Sequence, residues 1–217
     1  MSAQPRLTLY HSPNTRSSGT LILLEELGAP FTLKVLDMQA GEQREPAYLA
    51  INPMGKVPAI RHGDALITEQ VAIYLYLADL FPQADLAPPV GDPQRGPYLR
   101  WMAFYGTCFE PAVTDRSMKR EPAQPRMSVY GDFDTMLKTI ANQVAKGPYL
   151  LGERLSAADL LWGNGLTWTI MFKLVPEWPE LVAYAKRIAA RPAVAKVKEK
   201  DAALAAQQEA SRAATAG

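Results

Sequence analysis

The sequence predicts an α/β domain of order βαβαββα followed by an all-helical domain. Residues 1–81 mix short β-like runs with helical patterns, whereas residues 98–217 show helical periodicity alone. Between them, residues 82–97 hold five prolines and two glycines, the composition of a linker. A length of 217 residues suits one large domain or two small ones sharing an interface.

Taken in order, LTLY (7–10) and FTLKVLD (31–37) are alternating or β-branched runs flanked by turn residues, which predicts strands. Between them, GTLILLEELG (19–28) has helical leucine spacing and Gly28 as a stop, completing a βαβ unit. EQREPAYLAI (42–51) is a short amphipathic helix candidate, and NPMGKVPAI (52–60) turns into a third strand. HGDALIT (62–68) reads as a hairpin with Gly63 and Asp64 in its turn. EQVAIYLYLADLF (69–81) is a helix that stops before Pro82, because proline disfavours helical geometry in the residue before it. Beyond the linker, periodicity places helices near 98–118, 127–146, 157–171, 178–190 and 193–208. The Ala-rich end, 202–217, has no large apolar anchor after Leu204 and is expected to fray.

Composition narrows the function classes. A net charge of +1 offers no global field for nucleic acid or an anionic membrane. With Cys108 alone and only His11 and His62, neither an internal disulfide nor a metal centre is expected. No apolar run approaches a membrane span, and the N-terminus lacks a signal core, so the expected location is the cytoplasm.

Three short stretches carry chemistry. A cis peptide at Val57-Pro58 would free the Val57 carbonyl and amide to pair with an extended peptide ligand, while a trans proline would merely start the strand. Thr68-Glu69-Gln70 opens a helix whose amides can hold a carboxylate while Glu69 accepts from an ammonium; capping is the plainer role. Tyr10 to Ser18 is a hydroxyl-rich loop at another helix N-terminus, suited to an anion such as a thiolate or to ordinary capping. Moving a thiol from a pKa of about 8.5 to about 6.5 takes roughly 2.7 kcal/mol. A helix dipole gives ~0.3–1 kcal/mol, so a hydrogen bond worth ~1.5–3 from Tyr10, Asn14, Thr15 or Ser17 must contribute. In the helical half, Ser156-Ala157-Ala158-Asp159 reads as a capping box. Met102, Tyr105, Phe109 and Met118 share helical faces that fit either an apolar pocket or a core stripe.

Together, NPMGKVPAI, Glu69-Gln70 eleven positions after its proline, and SAAD in an all-helical second half resemble the glutathione transferase family over nearly the whole chain. The resemblance implies a thioredoxin-like N-terminal domain, a cis Pro58, and a Val57 backbone paired with the cysteinyl part of glutathione. Glu69 and Gln70 would hold the γ-glutamyl end, with Lys56 near the glycyl carboxylate. Gln70 departs from the family's usual serine, and Arg16 stands where bacterial beta-type enzymes carry cysteine. Catalytic candidates are therefore Thr15 and Asn14, then Ser17, then Tyr10. Tyr105, Phe109, Glu110 and Trp168 are candidates for the electrophile's pocket. The implied protein is a homodimeric transferase with glutathione as co-substrate and no metal. Glutathione-dependent peroxidase or disulfide reductase chemistry, and a non-enzymatic binding module, remain open alternatives.

Overall fold

A computed structural model describes residues 7–121 and 123–215. The described residues divide into two compact units, one holding those up to 77 together with those from 192 on, the other those from 78 to 191.

In the first unit, β1 (Leu7–His11) is followed by α1 (Arg16–Glu26) and β2 (Thr32–Val35). The expected helix over 42–51 divides into a 3₁₀ turn at Glu42–Arg44 and a single turn, α2 (Pro46–Leu49). Glu45 between them is extended, at φ −66° and ψ 144°, as expected for a residue before proline. β3 (Ala59–His62), β4 (Ala65–Ile67) and α3 (Gln70–Leu80) complete the βαβαββα order. The sheet runs β2-β1-β3-β4, with β1 parallel to β2 and the other pairs antiparallel. Leu7, Leu9 and His11 alternate with Thr8 and Tyr10 along β1, so His11 shares the face of a fully buried leucine.

The chain's last helix, α9 (Pro192–Thr215), also belongs to this unit. This differs from the division at residue 98 that the sequence predicts, and the Ala-rich end expected to fray is helical to Thr215. Polar contacts hold that end: Gln208 Nε2 donates to the Leu36 carbonyl at 3.1 Å, and Arg212 pairs with Asp37. Three hydrogen bonds to the Asp37 carboxylate, from Arg212 and the amides of Gln39 and Ala40, outweigh the opposing effect of burial and hold its carboxyl below 3.8.

The second unit is helical: α4 (Arg95–Phe104), a π-helical turn (Tyr105–Phe109), α5 (Glu110–Ser117), α6 (Phe133–Val144), α7 (Ala157–Met171) and α8 (Pro179–Ala189). The wide turn interrupts the helix expected at 98–118, just ahead of Pro111, which has no amide to continue a regular ladder. Its core is aromatic: Trp162 packs edge-on against Tyr105 and Trp101 and lies 4.9 Å from the Phe109 ring. The Ser156 capping box is present, and Asp159 also accepts from the Leu150 amide and the Tyr184 hydroxyl.

Candidate functional site

The first unit brings the three chemical stretches together around the N-termini of α1 and α3. The Val57-Pro58 peptide is cis. It is preceded by a loop with its own scaffold: Tyr48 Oη and Asn52 Nδ2 both donate to the Lys56 carbonyl, at 2.7 and 2.9 Å. Burial, with Tyr10 nearby, pushes the Tyr48 hydroxyl up to about 12, so it stays a neutral donor at physiological pH. Gly55, at φ +59°, lets the backbone turn where an added Cβ would lie 2.8 Å from the Gln43 carbonyl oxygen. Lys56 is exposed, while Val57 is buried in a cluster with Tyr10, Tyr48 and Ala59, and Pro58 is buried beside it.

Glu69 is exposed and lies in the left-handed region, at φ +64°, which is uncommon for a side-chain-bearing residue and concentrates at functional turns. Its carbonyl takes the first bond of α3, from the Ile73 amide. Gln70 Nε2 donates to the Arg16 carbonyl at 3.1 Å, which ties the start of α3 to the start of α1. Gln70 Oε1 is buried with no hydrogen-bond partner, so an acceptor is available beside Glu69.

At α1, Thr15 is the N-cap: its Oγ1 accepts from the Ser17 amide at 3.2 Å and lies 2.7 Å from both the Ser12 carbonyl and Ser17 Oγ. Asn14 is exposed in a left-handed turn, at φ +57°, and Thr15 is half-buried. These two of the four catalytic candidates are open to a ligand. Ser17 has no exposed surface, so its hydroxyl cannot meet a ligand's sulfur, and the Tyr10 ring packs inward against Tyr48 at 5.8 Å.

Sequence reasoning missed His11 and Asp201 here. His11 is fully buried, with Nδ1 2.9 Å from Ser17 Oγ and Nε2 3.0 Å from Asp201 Oδ1. Asp201, on α9, also accepts from the Asn14 amide at 3.0 Å and from Ser18 Oγ at 2.5 Å. Burial works to raise its pKa, but these hydrogen bonds prevail and hold the carboxyl below 3.8. Asp201 falls four residues after buried Val197 and three before Leu204, so an acid inside a helical stripe was the available signal.

Comparison with known proteins bears on this arrangement. The profile for the glutathione S-transferase N-terminal domain matches residues 5–79, and that for the C-terminal domain matches residues 104–201. Glutathione S-transferase GstA of Escherichia coli O157:H7 is 30% identical over 191 residues, covering 87% of this chain and 95% of that protein. The chain belongs to the glutathione transferase family. Among solved structures, the glutathione transferase of Methylococcus capsulatus is 32% identical with a TM-score of 0.77, over 90% of this chain and 98% of that one. A glutathione transferase homologue from Sulfitobacter, solved with bound glutathione, is 28% identical with a TM-score of 0.73 over the same shares.

Within this family member, the proposed electrophile pocket does not assemble as the sequence suggested. Tyr105 and Phe109 are 4% and 1% exposed in the aromatic core of the helical unit, so they line no open surface. Glu110 accepts from Tyr105 Oη at 2.9 Å. Trp168 alone of the four is exposed, stacked on Phe172 at 5.4 Å. The helical spacing of Tyr105 and Phe109 is a core stripe because the facing Trp162 fills the space a pocket would need.

Proposed function

We propose that this chain is a glutathione transferase that ionises the thiol of glutathione at the N-terminus of α1 and directs it at an electrophilic, largely apolar substrate. The carrying observation is the Gln70 Nε2 bond to the Arg16 carbonyl, which keeps the peptide-holding and thiol-holding ends of the site within one amide's reach. Glu69 accepts from the γ-glutamyl ammonium, and the α3 N-terminus and Gln70 orient that end. The Val57 amide and carbonyl pair with the cysteinyl unit in the manner of an added strand, and the Lys56 ammonium draws the glycyl carboxylate.

The sulfur then lies at the start of α1, where Thr15 Oγ1 and Asn14 are the accessible donors. A hydrogen bond from Thr15, with the helix dipole, supplies the roughly 2.7 kcal/mol that thiol ionisation at neutral pH requires. The thiolate attacks an electrophilic carbon, forming a C–S bond as the leaving group departs with its electron pair. Fixing the peptide at two ends removes much of the entropic cost of bringing the reactants together. The family resemblance extends this reading to a homodimer in the cytoplasm.

The test is calorimetric titration with glutathione, followed by spectrophotometric conjugation of a generic aromatic halide. Binding and turnover are expected, both weakened at least tenfold in Glu69→Ala. Absence of binding heat at millimolar glutathione refutes the reading.

A further inference from the structure

His11, Ser17 and Asp201 form a buried line of hydrogen bonds that the ligand contacts above do not use. From one end it runs from Asp201 Oδ1 to His11 Nε2 at 3.0 Å, then from His11 Nδ1 to Ser17 Oγ at 2.9 Å. It continues from Ser17 Oγ to Thr15 Oγ1, and from Thr15 Oγ1 to the Ser12 carbonyl, both at 2.7 Å. Three elements supply it: β1 the imidazole, α1 and its cap the hydroxyls, α9 the carboxylate.

The ends of this line, a carboxylate and a carbonyl, accept only, so its four contacts need four protons. A neutral imidazole, Ser17 and Thr15 bring one each, which makes three. The Ser12 carbonyl also lies 3.0 Å from Ser17 Oγ, and the Ser12 amide donates to that oxygen at 3.1 Å, so neither adds a spare proton. With a neutral imidazole the line therefore has more acceptor contacts than hydroxyl and imidazole protons to fill them, and its accessible member is Thr15, the residue placed at the thiol.

We propose that this line is the proton acceptor for the glutathione thiol, with His11 taking the proton through Ser17 and Thr15 and Asp201 holding the resulting imidazolium. The inference rests on the placement of the glutathione sulfur at Thr15. For transfer, the Thr15 hydroxyl turns from the Ser12 carbonyl to Ser17 Oγ, Ser17 donates to His11 Nδ1, and His11 Nε2–H donates to Asp201. The thiol S–H bond breaks and its proton passes to Thr15 Oγ1. The Thr15 proton passes to Ser17 Oγ, and the Ser17 proton to His11 Nδ1; the S–H electron pair stays on sulfur. Afterwards the hydrogens on His11 Nδ1, Ser17 and Thr15 point toward the sulfur while His11 Nε2–H still donates to Asp201, so Thr15 donates to the thiolate it helped create. Thiolate and imidazolium arise together, and the site gains no net charge.

The groups that meet the His11 ring are Asp201 from α9 and Ser17 from α1, and uncharged Val35 stands opposite it on β2. Lys196 of α9 pairs with Glu25 toward the far end of α1. The ionised state of Asp201, with its carboxyl held below 3.8, fits its role as counter-ion. Asp201 is a positioning residue and acts through His11.

The experiment measures two quantities on the full chain: the ultraviolet absorbance of bound thiolate, and protons released on glutathione binding, from calorimetry in buffers of different ionisation enthalpy. The wild-type protein is expected to form thiolate while releasing far less than one proton per site. Ser17→Ala cuts the line and leaves the His11–Asp201 pair in place, whereas Asp201→Asn removes the counter-ion. Each is expected to lower the ionised fraction and kcat at least tenfold with KM for glutathione within about threefold. The double variant should lose little more than either single one, because both cut one line. A structural role instead gives additive losses that follow the melting temperature. Thiolate formed with a full proton released to buffer, or unchanged in both variants, overturns the relay and leaves the glutathione reading standing. No binding of glutathione by the wild-type protein overturns both.

Discussion

Replacing Thr15 by valine keeps the branched shape and removes one oxygen. That oxygen caps α1 through the Ser17 amide at 3.2 Å and contacts Ser12 and Ser17 at 2.7 Å. Loss of the cap should cost ~0.5–2 kcal/mol of stability. Loss of a hydrogen bond to a charged sulfur should cost ~1.5–3 kcal/mol of thiolate stabilisation. At about 1.36 kcal/mol per unit, the second figure is a rise of roughly one to two units in the thiol's apparent pKa. Below that pKa, kcat/KM should fall about 10- to 100-fold, and part of the loss should return at higher pH. The assay is a pH profile of kcat/KM for conjugation, with Thr15→Ser as the variant that keeps the hydroxyl. An acid limb that stays in place in Thr15→Val, alongside a lowered melting temperature, would show that Thr15 only caps the helix and does not stabilise the thiolate.

Two further outcomes concern stability. Asp201 has a folded-state pKa below 3.8, so it contributes stability above that value and loses it as pH falls through the folded pKa. Urea midpoints across the acid range should therefore drop less steeply in Asp201→Asn than in the wild-type protein, starting from a lower neutral value. In the helical unit, a Cβ at Gly163 would lie 2.4 Å from Cβ and Cγ1 of Ile188. Because Ile188 is fully buried and its Cβ cannot swing away, Gly163→Ala should cost ~1–3 kcal/mol and lower the melting temperature by several degrees.

Much of the fold was legible because it rests on local periodicity. The β1 alternation, the break before Pro82 and the Ser156-Asp159 capping box all show in windows of a few residues, and each stands in the structure. The family was legible through the order and spacing of short motifs, NPMGKVPAI, Glu69-Gln70 and SAAD. The failures have a common physical origin in partners far apart along the chain. Tyr105 and Phe109 have the spacing of either a pocket or a core, and Trp162, more than fifty residues on, decides between them. The Ala-rich end looked unanchored because its anchors are polar, and their partners, Leu36 and Asp37, lie in the first forty residues.

Asp201 shows most plainly why such a residue escapes a local reading. A carboxylate with 3% exposure is costly to bury unless its oxygens are filled. Here they are filled by His11, Asn14 and Ser18, at separations of 190, 187 and 183 residues. An apolar residue at that position would continue the stripe from Val197 and would pack α9 without a buried charge. It would also leave the Asn14 amide, the Ser18 hydroxyl and one imidazole nitrogen without acceptors, and the orphans on buried Ser18 and His11 carry ~1–3 kcal/mol each. The acid is thus matched to the loop rather than to its own helix. That loop holds Thr15 and Asn14, so the same three hydrogen bonds that make α9 part of the first unit also hold the geometry of the proposed thiol site.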